Sequence, residues 1–80
     1  MTEREVSEKL ALILSRKFNV PREKLVPACS LFKDLDADSV AMVELMEEVE
    51  QAFNLTMQTA VESRVRTVGD LTKYVMEQCS

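Results

Sequence analysis

The chain has 80 residues, 46% of them hydrophobic and 30% charged, with a net charge of −4 and no histidine. That balance is too apolar for a disordered segment, and it fits one small folded domain over residues 1–80 with a modest core. One glycine and two prolines argue for helices over a strand-and-turn architecture. No apolar run approaches the roughly 18 residues of a membrane span. The first residues lack the layout of a secretory signal, so a cytoplasmic protein is expected. Cys29 and Cys79 are far apart and match no CxxC pattern, and with only two cysteines and no histidine a zinc site is not expected.

Charge is unevenly spread. Residues 1–33 carry seven basic and four acidic residues, residues 34–50 carry seven acidic and no basic ones, and residues 51–80 carry three of each. An acidic segment between a basic part and a neutral part is not a nucleic-acid signature. It points to a partner with a basic surface, reached partly by electrostatic steering.

Residues 2–18 are predicted to form the first helix. Thr2 with Glu5 fits a capping box. Val6, Leu10, Ile13, Leu14 and Phe18 recur at helical spacing, with Arg4, Lys9, Arg16 and Lys17 largely off that stripe. Pro21 is expected to end it. Residues 19–37 follow as a long connection, and its apolar residues Val20, Leu25, Val26, Leu31, Phe32 and Leu35 predict a loop packed across the helices. A short helical turn is expected to start at Ser30 or at the Asn19-Val20-Pro21 break.

Residues 39–52 are predicted to form the second helix, capped by Asp36 or Asp38. At about 100° per residue, Met42, Leu45, Met46, Val49 and Phe53 make one core-facing stripe. Val40 falls nearly opposite it and Val43 lies between. Glu44, Glu47 and Glu50 share that outer side, with Glu48 at its edge, so a small apolar patch is embedded in carboxylates. Residues 54–66 are read as a link containing a short third helix near Thr59–Arg64, with Ala60, Val61 and Val65 inward. Residues 67–78 form the last helix, with Thr67 and Asp70 as a second capping pair. Its Val68, Leu71 and Val75 face inward, flanked by Tyr74 and Met76.

Catalysis finds little support in these residues. A serine nucleophile needs a base and an oxyanion hole; there is no histidine, and carboxylates around Ser39 oppose its ionisation. The chain is therefore not expected to be an enzyme. Asp34, Asp36 and Asp38 open like an EF-hand loop, but Ser39 stands at the glycine position and Leu45 at the bidentate glutamate. No specific metal site is expected, only weak divalent binding to crowded carboxylates.

Taken together, Asp34-Leu35-x-Ala37-Asp38-Ser39-Val40-x-x-Val43-Glu44-Leu45 resembles the attachment motif of acyl carrier proteins. The length, the acidity, the long first loop, Phe53 closing the second helix, and Thr67-Val68 with Tyr74-Val75 resemble that family along essentially the whole chain. The resemblance implies an all-α fold, a four-helix bundle of acyl-carrier type with a long loop between helices 1 and 2 and a short third helix. It implies 4′-phosphopantetheine, from coenzyme A, attached to Ser39 by a phosphopantetheinyl transferase and carrying acyl groups as thioesters. Those groups would go to fatty-acid, lipid or polyketide-type synthesis enzymes.

In that reading the chain is a monomer. Asp38, Val40, Val43, Glu44, Glu47 and Glu48 form the face read by acyl-loading and acyl-transfer enzymes with basic surfaces. Met42, Met46, Val65 and Val68 line an acyl pocket. Where the family has Gly-Ala-Asp-Ser-Leu, this chain has Asp36 for the glycine and Val40 for the leucine. Glu47 stands where an apolar contact residue is common, Met57-Gln58 where Ile-Pro is typical, and Arg64 and Arg66 reduce acidity near the third helix. These departures suggest a specialised member. The alternatives are an unmodified acidic interaction module and a divalent-ion-binding protein.

Overall fold

The computed structural model describes residues 2–56 and 64–79. Among these residues three α-helices follow in order, α1 (Glu3–Phe18), α2 (Ser39–Phe53) and α3 (Val68–Cys79), with a 3₁₀ turn, Arg22–Lys24, after α1. The short helix expected near Thr59–Arg64 falls largely outside the described residues.

Local chemistry sets the helix ends. Thr2 caps α1 in a full capping box: its hydroxyl accepts the Glu5 amide at 3.2 Å, and the Glu5 carboxylate accepts the Thr2 amide at 3.2 Å. Two amides left open by helix geometry are thereby satisfied. The helix closes at Asn19, not at Pro21 as the sequence suggested. Asn19 adopts the left-handed conformation (φ 53°), and its amide and that of Val20 return to the Ser15 carbonyl. Asparagine tolerates that conformation better than other non-glycine residues, so it can terminate a helix without help from the proline. Pro21 instead starts the 3₁₀ turn. The same device recurs at Asn54 (φ 52°), which closes α2.

The core is one cluster. Val6, Leu10 and Leu14 of α1 meet Met42, Leu45, Met46, Val49 and Phe53 of α2 and Val68, Leu71, Tyr74 and Val75 of α3. Helix α1 packs against both of the others. Tyr74, expected at the flank, is buried in this cluster. An aromatic ring removes more apolar area from water than the flanking position would allow, which favours its inward rotation.

The connection between α1 and α2 is anchored by Cys29, Leu31, Leu35 and Ala37, all buried, while Val20 and Leu25 are half-buried. Val26 and Phe32, expected to pack, are instead exposed at 51% and 41%. Main-chain bonds hold the loop to the start of α3. The Leu31 amide donates to Arg66, the Val68 amide to Cys29 and the Gly69 amide to Pro27, at 2.9–3.0 Å. The first amides of a helix lack intrahelical acceptors, so the loop carbonyls take that place. Gly69 is needed for this approach: a Cβ there would sit 3.0 Å from the Pro27 carbonyl oxygen and 3.2 Å from its Cβ.

Candidate functional site

The stretch that leads into α2 is built from local hydrogen bonds. The Ser30 carbonyl accepts the amides of Asp34 and Leu35, and the Ser30 amide donates to the Asp34 carboxylate at 2.7 Å. The Lys33 amide donates to the Ser30 hydroxyl at 3.0 Å, and the Ala37 amide to the Leu31 carbonyl at 3.0 Å. Leu35 and Ala37 point into the core while Asp36 between them is exposed. Asp36 holds a left-handed backbone (φ 57°), which lets the chain turn between the two buried anchors. Asp38 follows in extended conformation as the N-cap of α2, its Oδ1 accepting the Ala41 amide at 2.7 Å. Of the two caps foreseen, Asp38 is the one used.

Ser39 is therefore the first residue of α2 but not its cap. It is exposed, and its hydroxyl makes no hydrogen bond among the described residues. Nor do the amides of Ser39 and Val40 donate to any group there, so the positive end of the helix dipole is partly open beside the hydroxyl.

Outward from Ser39, Val40 is 66% and Val43 48% exposed. Glu44, Glu47 and Glu48 are exposed beside them. Val40, Glu44 and Glu47 thus lie on the outer side of α2, with Glu48 at its edge, as the helical spacing predicted, while Asp38 precedes the helix as its cap. One relation was missed. Lys17 of α1 reaches Glu44 at 3.4 Å and Glu48 at 3.9 Å, with only 14% of its side chain exposed. The sequence placed it only off the apolar stripe of α1; no pattern within one helix reports a contact made across two.

Met42, Met46, Val65 and Val68 are all buried in the single core cluster. Among the described residues no group of three or more Asp, Glu or Cys is placed to hold a metal ion. Two of the three aspartates of the EF-hand-like run serve the backbone instead, Asp34 at Ser30 and Asp38 at Ala41. The buried Cys29 thiol is pushed above its ordinary pKa, by burial first and by Asp34 second. It is the less nucleophilic for it.

Residues 8–75 match the family model described as a phosphopantetheine attachment site. The chain belongs to the acyl carrier protein family. It is 33% identical over 75 residues to the acyl carrier protein of Lactobacillus johnsonii, covering 94% of each chain. Against the acyl carrier protein of Thermosynechococcus vestitus it is 32% identical over 75 residues, covering 94% of this chain and 93% of the other. Its structure is similar to that of a thermostable acyl carrier protein from Enterococcus faecalis, with a TM-score of 0.83 and 28% identity over 98% of this chain and 99% of that one. The all-α acyl-carrier fold expected from the sequence is thus found. Membership makes the chain an acyl carrier, not an enzyme, and implies a covalently attached 4′-phosphopantetheine as its prosthetic group. Members of the family work with phosphopantetheinyl transferases and synthesis enzymes. Among the described residues no helix is long and apolar enough to cross a membrane.

Proposed function

We propose that Ser39 is the attachment residue and that this single-domain, monomeric carrier delivers acyl groups to fatty-acid, lipid or polyketide-type synthesis enzymes. The observation that supports this reading best is the idle hydroxyl. Serine at a helix start normally caps. Here Asp38 does that work, leaving the Ser39 oxygen exposed and unbonded. The residues around it fit a phosphodiester: the Ser39 and Val40 amides and the helix dipole favour an anion at this point, against the opposing field of the aspartates. When bound, the prosthetic group supplies a terminal thiol that forms thioesters.

Ser39 contributes only the accepting hydroxyl, and the modifying enzyme supplies metal and base. Val40 and Val43, with Asp38, Glu44, Glu47 and Glu48, present an apolar patch rimmed by carboxylates to basic partner surfaces. Such encounters are weak and fast. Met42 lies one turn beyond Ser39 on the core side, so Met42, Met46, Val65 and Val68 are assigned as the lining into which an acyl chain would insert. Methionine adapts to such insertion at little cost. Asp36, Val40 and Glu47 differ from the family's usual residues around the site, which favours a carrier dedicated to one pathway.

Co-expression with a phosphopantetheinyl transferase should add one phosphopantetheinyl mass, absent in Ser39→Ala. Because Ser39 is not the cap, that variant should fold with an unchanged circular dichroism melt. An unmodified mass with several transferases would reject the reading in favour of an unmodified interaction module.

A further inference from the structure

Lys17 lies on α1, yet its ammonium sits between two carboxylates of α2, 3.4 Å from Glu44 and 3.9 Å from Glu48. An ordinary surface ion pair contributes little, because ordering two long side chains offsets the attraction. Lys17 differs in that its side chain is already packed, 14% exposed, whereas the two carboxylates remain 60% and 51% exposed. The cation is held in place whether or not a partner is present. Arg16, its neighbour, lines the same groove between α1 and α2 with Ile13, Glu48, Gln51 and Ala52, but it is exposed and makes no ion pair among the described residues. Glu47 is exposed and likewise forms no ion pair there.

We infer that Lys17 is a specificity-determining residue of the outer face of α2. It acts as a built-in counter-ion that neutralises Glu44 and Glu48, and it leaves Glu47 with Val40 and Val43 as the contacts that discriminate between partners. A partner carrying a cluster of cations must displace or share the Lys17 ammonium and is penalised. A partner offering one cation and an apolar recess is not. Selection of this kind works by repulsion against the wrong surface as much as attraction to the right one. In naming those partners as carrier enzymes, the inference rests on the reading of Ser39 given above.

The test uses the full chain and a hexa-arginine peptide as a poly-cationic probe, titrated at low ionic strength and followed by the amide resonances of α2. Lys17→Met keeps the packed stem and removes the charge. It should tighten binding about fivefold, the equivalent of one unit-charge contact near 4 Å in water. Arg16→Met changes net charge equally and should shift affinity by less than about twofold, since an unpaired exposed charge is screened. On the parent chain, Glu47→Gln should weaken the peptide more than Glu44→Gln or Glu48→Gln does, a comparison that holds even if Lys17→Met fails to fold. Equal effects of Lys17→Met and Arg16→Met, or Glu44→Gln as costly as Glu47→Gln, would overturn the inference. The Ser39 mass test is separate: a chain that is modified but indifferent to Lys17→Met sinks this inference alone, and the reverse result sinks only the attachment reading.

Discussion

The Lys9 ammonium of α1 donates to the Ala52 carbonyl of α2 at 2.7 Å and stands 5.0 Å from the centroid of the Phe53 ring. The last turn of α2 contains no basic residue, and the final carbonyls of a helix have no intrahelical donor. A cation borrowed from the neighbouring helix fills that gap. Replacing it with an apolar stem should leave the carbonyl without its donor and the ring without its cation. Lys9→Met is expected to lower unfolding stability by about 1–2 kcal/mol, measured by urea denaturation with unchanged slope. An unchanged midpoint would show that water replaces the ammonium at no cost.

Asp36 holds a positive φ of 57° just ahead of Ser39. A left-handed conformation costs a side-chain-bearing residue about 1–2 kcal/mol, less for aspartate, and glycine almost nothing. Asp36→Gly should therefore stabilise the chain by up to about 1 kcal/mol, after allowing for the extra freedom glycine gives the unfolded state. Asp36→Val should destabilise it by about 1–2 kcal/mol. Asp36→Asn keeps the tolerance for this conformation while removing the charge, so its thermal midpoint separates backbone strain from repulsion among the acids. A glycine variant less stable than the asparagine variant would contradict the strain argument.

The Asp70 carboxylate accepts the amides of Arg66 and Thr67 at 3.2 and 3.1 Å, while the Asp70 amide donates to the Thr67 hydroxyl at 3.1 Å. These bonds, that from Arg66 foremost, hold the Asp70 carboxyl below the usual aspartate range. A lowered folded-state pKa means that the unfolded chain takes up the proton more readily. The stabilisation is thus complete above the ordinary aspartate range and fades as pH falls through the folded value. Asp70→Asn should melt at lower temperature than the parent at pH 7, and the gap should narrow as pH drops below about 4. A gap as wide at pH 3 as at pH 7 would rule out the carboxylate as its source.

Much of this was legible in the sequence because it is periodic or local. The α2 core stripe from Met42 to Phe53 is buried in full, as a helical wheel requires. Both capping pairs, Thr2 with Glu5 and Thr67 with Asp70, form as their three-residue spacing predicts. The extended motif around Ser39 was specific enough to indicate the family. What escaped notice depends on elements meeting. Lys9 and Lys17 lie off the apolar stripe of α1, and nothing in that spacing reports that both reach across to α2. Asn19 ended α1 ahead of the more conspicuous Pro21 because a left-handed residue needs no proline. Val26 and Phe32 remained outside because four other loop residues already occupied the room against the core.

The three main-chain bonds that join residues 27–31 to residues 66–69 also impose an order in time. On a growing polypeptide, the ledge that carries Ser39 has no strap to rest on until α3 begins to emerge, some thirty positions later. Any enzyme that recognises Ser39 in its folded setting must therefore wait until residues 66–69 have been made.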